Sequence, residues 1–462
     1  MKLTIWGAAR QVTGSMHLLE LENYKILIDC GLDYERDTYL EENGQFPFYP
    51  SEIDAVILTH AHIDHSGNLP TLVRSGFEGQ ILCTPPTADL TELLLLDSVN
   101  IFLAKQRKKR RGQRNSHGRK PLYLQKHVME TVDRFVTIGF NKPFRINGSI
   151  SLTFIPAGHL LGAAHIILTV NEHGIEKKIA FSGDIGRKNY PVIVDPEPLP
   201  NVDYLVCEST YGGRQHSTGK TIEQVLTETV EEACIKTPGR LIIPAFSIGR
   251  TQALVYSLNK IFSKGLLPRV KVFVDSPLAI YATDVFRKYH PLVNEEARDF
   301  YNCEGDEFEF ENLFYTKNID ESKEITNYLE PCIIISSAGM LEGGRIQDHL
   351  YYNIQNYYCT ILFIGYCAKG TLGHRLLRGD PVVHIRDREL SVYATIKQTD
   401  LLSGHAGHAD LVDFVKNQDP ARLKNIFLVH GEPESMVALS QELEPEGYQV
   451  TIPERGQVFD LG

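Results

Sequence analysis

The chain has 462 residues, more than one typical domain holds, so two domains or one domain with a large insertion is the starting expectation. A hydrophobic fraction of 42% and a charged fraction of 23% are ordinary for a globular protein, and no apolar run is long enough to span a bilayer as a helix. Eight cysteines without a Cys-x-x-Cys pair exclude a disulfide framework, and a net charge of −11 argues against general coating of nucleic acid while leaving a local basic groove open.

In chain order, Met1 to Gly7 reads as a strand and not as a charged-then-apolar leader, so a cytoplasmic protein is expected. Short strands and turns follow, predicted at Tyr24–Asp29, Ala55–Thr59, Gln80–Cys83, Ile150–Ile155, Ala164–Val170 and Lys178–Ser182, with helical patterns at Asn68–Ser75 and Thr87–Leu103. From about Ser209 the texture changes. Amphipathic helices such as Thr221–Lys236 and Thr251–Phe262 alternate with near-continuous apolar strands at Arg240–Pro244, Val270–Asp275, Cys332–Ser336 and Thr360–Tyr366, which predicts a parallel sheet covered on both faces. After about Val392 the strand-and-turn texture returns, so the middle of the chain reads as an inserted domain.

The predicted strand Ala55–Thr59 runs straight into His60, His62, Asp64 and His65. Three imidazoles and a carboxylate within six positions would repel when charged and be costly when buried; a divalent cation removes both problems. Single polar residues follow other apolar strands in the same way: His159 after Phe154–Gly158, Asp184 after Lys178–Gly183, and His430 after Ile426–Val429. Apolar strand, small residue, polar ligand is the pattern expected where sheet edges converge on a metal.

This set, His60-x-His62-x-Asp64-His65 with Asp29, His159 and Asp184, resembles the metallo-β-lactamase fold. Glu208-Ser-Thr-Tyr-Gly212, Ala406-Gly-His408-Ala-Asp410 and Val429-His430-Gly-Glu432 narrow the resemblance to its β-CASP ribonuclease branch, over essentially the whole chain. The resemblance implies an α/β protein: a metallo-β-lactamase αββα sandwich formed by 1–208 and 396–462, with a parallel-sheet β-CASP domain, 209–395, inserted. It implies two Zn²⁺ ions, with Mn²⁺ or Mg²⁺ as substitutes. His60, His62 and His159 would hold one, Asp64, His65 and His430 the other, with Asp184 bridging and Asp29 orienting ligands from behind.

The resemblance also implies a histidine that protonates the departing oxygen and Glu208 to orient it. Family spacing of twenty-two residues to the last ligand selects His408 (430 − 408 = 22) over His405 (430 − 405 = 25). By the resemblance, histidine at position 430 favours RNA over DNA, single-stranded RNA being the expected partner; no membrane partner is expected, and a homodimer stands as one option for the assembly. In the insert, glycine-rich turns at strand ends nominate Arg250, Ser276, Ser337 and Arg345 as phosphate contacts. The basic run 105–120 is either a solvated loop or a backbone contact for RNA. DNA cleavage, a thioesterase-type hydrolase of the same fold and a non-catalytic RNA-binding scaffold are the competing readings. Endonuclease and exonuclease action are both compatible with these residues.

Overall fold

The computed structural model describes residues 1–33, 46–112, 122–217 and 219–462, with the backbone alone at 104–112. Its chain divides into two compact units, one formed by residues 1–188, 195–215 and 405–462, the other by 189–194 and 216–404.

In the first unit two seven-stranded sheets face each other. One runs in the order Gln457–Asp460, Lys2–Ile5, His17–Glu20, Lys25–Ile28, Ala55–Ile57, Gln80–Cys83, Phe135–Thr137; the other runs Val450–Thr451, Asn425–Val429, Tyr204–Glu208, Ile175–Phe181, Ala164–Glu172, Ile150–Pro156, Phe144–Arg145. Strand alternation explains the layering. Ile26, Ile28, Ile57 and Leu82 point inward against Phe154, Ile166, Phe181 and Phe427 of the other sheet, forming the central core. Leu27, Val56 and Ile81 point the other way and pack on Leu69, Leu72 and Val73 of the helix Leu69–Arg74. The outer face of the second sheet packs in the same way on the helices His408–Lys416 and Pro433–Leu443. Both sheets are thus buried on both faces, an αββα sandwich.

The second unit is built on six strands whose pairings are all parallel, in the order Leu313–Tyr315, Lys271–Asp275, Cys332–Ser336, Arg240–Pro244, Cys359–Phe363, Thr395–Gln398. The apolar strands read from the sequence are its centre. Its helices are capped as the sequence dictates. Thr221 accepts from the Gln224 amide at 3.2 Å and Gln224 reciprocates, which starts the helix Ile222–Val230.

The helix expected at Thr87–Leu103 spans Pro85–Gly112, longer at both ends. Apart from the helical backbone of 105–112, the basic run lies outside the described residues. Among the described residues no helix is long and apolar enough to cross a membrane.

One buried histidine gives a pH prediction. His165 donates from Nδ1 to the Ser182 carbonyl at 2.6 Å, and burial pushes its pKa down to about 4. Below pH 6.5 the unfolded chain takes up a proton that the fold resists, so stability falls as the pH drops from about 6.5 towards 4. His165→Asn, which keeps a donor near that position, should flatten the fall of Tm over this interval; an unchanged slope would refute the assignment.

Candidate metal centre

The ends of the strands Ala55–Ile57, Ile150–Pro156, Ile175–Phe181, Tyr204–Glu208 and Asn425–Val429 all deliver polar residues to one place. His60 follows the first, His62 caps the short helix Ile63–Ser66, and Asp64 and His65 lie in that helix's single turn. His159 and Asp184 follow the second and third strands, and His430 the last, with Asp29 held in a left-handed conformation at φ 59°.

Three imidazole nitrogens converge. His62 Nδ1 lies 3.1 Å from both His60 Nε2 and His159 Nε2. Asp184 Oδ2 approaches His60 Nε2 at 3.5 Å and His159 Nε2 at 3.4 Å. Beside them, His65 Nε2 is 3.3 Å from His430 Nε2 and 3.2 Å from Asp184 Oδ1, and His430 Nε2 is 3.5 Å from Asp64 Oδ2. Asp184 therefore faces both groups, one oxygen to each.

Protonation logic tests whether these atoms suit a cation. The Thr59 hydroxyl lies 2.9 Å from Asp29 Oδ2 and 3.0 Å from Oδ1, and a carboxylate only accepts, so Thr59 donates there. It must then accept from His60 Nδ1–H, at 3.1 Å, which leaves the Nε2 lone pair of His60 pointing into the cluster. His65 Nδ1 donates to Asp29 Oδ2 at 2.7 Å and presents its own Nε2 inward. Asp184 Oδ1 is buried and makes no hydrogen bond. Converging lone pairs with a buried unsatisfied carboxylate oxygen are what a metal ion satisfies. A tetrahedral ion with metal–nitrogen bonds of about 2.0–2.1 Å spaces its donors by about 3.3 Å, close to the separations here. The donor set fits.

Electrostatics agree for His60 and His62. Burial, reinforced by the charge of His65, drives His60 well below its ordinary pKa, and burial lowers His62 to about 4, so both are neutral near pH 7 with lone pairs available. Burial opposes the charging of His65, but Asp184 and Asp29 outweigh it and raise its pKa. Asp64 is brought down to about 2: burial works against this, and its contact with His430 together with the charge of His65 prevails.

His405 and not His408 stands beside this cluster. The Ala406 amide donates to the Ile185 carbonyl at 2.8 Å, and His405 bridges to Gly186, so the segment is pinned against the residues that follow Asp184. His405 Nδ1 is 3.2 Å from Glu208 Oε1 and Nε2 is 3.9 Å from Asp184 Oδ2. Glu208 is fully buried and is held by the Ile185 amide at 2.5 Å and the Thr210 amide at 3.3 Å. His408 begins the helix His408–Lys416, and its Nδ1 accepts from the Gly213 amide at 2.8 Å. Sequence reasoning gave His405 no catalytic part and missed Thr59 and Thr210; the Ser-Gly-His motif was the available signal for His405.

Gly183 is needed for this geometry. Its φ is +55°, and a Cβ there would come within 2.8 Å of the Thr59 Cβ. Gly183→Ala should cost about 1–3 kcal/mol by overpacking, beyond its backbone strain. The expected readout is a lowered Tm together with weakened metal retention.

In the second unit, Ser276 and Ser337 lie together: Ser337 Oγ donates to Ser276 Oγ at 3.0 Å, with Ser247 Oγ 3.1 Å from Ser276. Ser276 also caps the helix Pro277–Lys288 by accepting from the Ala279 amide at 3.3 Å. The Arg250 guanidinium stacks on Phe246, 4.6 Å from the ring centre. Arg345 is turned to Asp275 Oδ1 at 2.7 Å and to the carbonyls of Thr316 and Lys317 at 3.1 and 3.0 Å. His349 Nε2 lies 2.7 Å from the other oxygen, Asp275 Oδ2.

Comparison with known proteins agrees with the fold. The profile of the Metallo-beta-lactamase superfamily matches residues 9–211, the Beta-Casp domain 251–376, and the Zn-dependent metallo-hydrolase RNA specificity domain 389–453. The chain is 30% identical to Ribonuclease TTHA0252 of Thermus thermophilus, over 99% of both chains. The chain belongs to the β-CASP ribonuclease family. A second β-CASP relative, Transcription termination factor FttA of Methanosarcina mazei, is 30% identical over 96% of this chain and 69% of its own. A crystal structure of a protein of unknown function from Enterococcus faecalis shares the fold, with a TM-score of 0.57 at 13% identity over 99% of both chains. Members of the metallo-β-lactamase superfamily are metal-dependent hydrolases, and the two His/Asp clusters here are the chain's counterpart of that property.

Proposed function

We propose that this protein is a two-metal ribonuclease that hydrolyses RNA phosphodiester bonds. The observation that carries the proposal is the pair of donor clusters, with Asp184 a member of one and 3.2 Å from His65 of the other, and the Glu208–His405 pair alongside. The similarity to Ribonuclease TTHA0252 over the full length supports RNA as the substrate.

His60, His62 and His159 would hold one cation and Asp64, His65 and His430 the other, with Asp184 facing both; zinc suits imidazole-rich sets of this kind. Bound divalent cations supply Lewis acidity, lowering the pKa of water and offsetting charge that develops on the phosphodiester. The remaining work falls to the chain. Asp184 accepts the proton of the attacking water. His405 delivers a proton from Nε2 to the departing oxygen, while Glu208 accepts from Nδ1 and fixes the ring. This assigns to His405 the part that spacing alone gives to His408. Asp29 and Thr59 hold the ligands from behind by the hydrogen bonds described above.

In the second unit Ser276, Ser337 and Arg250 are the proposed phosphate contacts. Arg345 serves to neutralise buried Asp275 and so to fix the strand ends that carry the two serines. The unit containing them, residues 189–194 and 216–404, is proposed as the inserted domain expected at 209–395.

RNAs labelled at either end, matched DNA strands and a thioester, offered to metal-replete protein, test the proposal. Turnover of RNA alone, or RNA well ahead of the others, is expected, and the labelled products distinguish internal from terminal cleavage. Preferred hydrolysis of DNA or of the thioester would overturn it.

A further inference from the structure

Thr210 follows Glu208 by two residues and lies beside His430 because the strands Tyr204–Glu208 and Asn425–Val429 pair in parallel, with Glu208 opposite Val429. Its hydroxyl makes two contacts with one residue: the His430 carbonyl oxygen at 3.0 Å and His430 Nδ1 at 3.1 Å. A hydroxyl has one proton. The carbonyl can only accept, so that proton goes to it, and the hydroxyl oxygen must accept from Nδ1–H. If Nδ1 were unprotonated, one of the two close contacts would be a repulsion between lone pairs.

We propose that Thr210 is the residue that makes His430 a metal ligand, by locking its imidazole in the Nδ1–H form with the Nε2 lone pair aimed at Asp64 and His65. This inference rests on the two-metal reading given above. The lock matters because, among the described residues, Thr210 is the one hydrogen-bond partner of His430 Nδ1, the nearest carboxylate oxygen, Asp184 Oδ1, lying farther off at 3.6 Å. His65 is fixed by Asp29 and His60 by Thr59, whereas His430 sits on a residue in the left-handed conformation at φ 51°, whose ring orientation depends on its neighbours. Thr210 also places its amide on Glu208 Oε2 at 3.3 Å, so one residue ties the last ligand to the carboxylate that holds His405. Occupancy of the second metal position is therefore set by a hydroxyl that coordinates nothing.

The test is metal affinity, read independently of turnover. Thr210→Val keeps the shape and removes the hydroxyl; Thr210→Ser keeps the hydroxyl. After stripping and reloading against a competing chelator, Thr210→Val should bind one equivalent as the unaltered protein does and the other about 10–100-fold more weakly. Thr210→Ser should match the unaltered protein at both. His430→Ala serves as the reference and should lose one equivalent.

If His430→Ala loses an equivalent while Thr210→Val holds both at unaltered affinity, the inference about Thr210 is wrong. If His430→Ala itself keeps both, it is the two-metal assignment that fails. Should Thr210→Val not fold, nitrogen NMR of the metal-stripped unaltered protein decides: a proton on His430 Nδ1 supports the lock, and one on Nε2 overturns it.

Discussion

Asp184→Ala is expected to abolish RNA cleavage and to release metal from both positions. Each carboxylate oxygen of Asp184 faces a different histidine group, at 3.2 Å for His65 and 3.4 Å for His159, so its removal opens both sites together. A metal ion's stabilisation of the transition state is worth several kcal/mol, and each 1.36 kcal/mol is tenfold in rate, so a loss of at least about 10³-fold is expected. Asp184→Asn separates charge from shape. It preserves the size of the side chain and should still bind metal poorly, since a neutral amide replaces the anion that would face both cations. Elemental analysis read beside initial rates checks both variants. A variant that retained two equivalents and cleaved normally would remove Asp184 from the account.

The second large effect should come from His405. His405→Ala is expected to slow cleavage about 10²–10⁴-fold, the range of a lost general acid, while the protein keeps its metal. His405 is held through Glu208, on the far side of its ring from Asp184, and belongs to neither of the two clusters assigned to metal, although with Asp184 and Glu208 it forms a third set of close donor atoms. His408→Ala should change the rate by less than about tenfold, because the contact it loses is an amide hydrogen bond from Gly213 at the start of a helix. The pH–rate profile adds a readout that a merely structural role would not move: loss of the acid should flatten the alkaline limb in His405→Ala and leave it intact in His408→Ala. The reverse pattern would return the role to His408.

The contrast between these two histidines shows where reading a sequence stops. His60 to His65 announce a metal site because they fall within six positions at a strand end, and local crowding is visible without a fold. His159, Asp184 and His430 could be added because each follows an apolar strand. His405 and His408 are three residues apart and both plausible in composition. What separates them is a long-range pairing, Ala406 with Ile185, which brings His405 to Asp184 and turns His408 into a helix start. Arg345 is a similar case. Its partner Asp275 is 70 residues away and buried, so the glycine-rich turn ending in arginine gives no sign that the guanidinium meets a carboxylate and two carbonyls. Thr59 and Thr210 were invisible for another reason: a threonine hydroxyl has no sequence signature, and its role emerges only from counting protons at each contact.

The two layers of the first unit and the parallel sheet of the second were legible because strand burial on both faces leaves near-continuous apolar runs, such as Cys332–Ser336, that differ from alternating edges. The length of the helix Pro85–Gly112 was not, since its polar last turns carry no apolar period to mark where it ends.

The measurement that bears most directly on the two-metal ribonuclease is stepwise reloading of metal-stripped protein with Zn²⁺ while cleavage of an end-labelled RNA is followed. The account predicts no cleavage without metal, a large rise only as the second equivalent binds, and a plateau at two equivalents that His430→Ala cannot reach. Full activity in the metal-free protein, or at one equivalent, would contradict it.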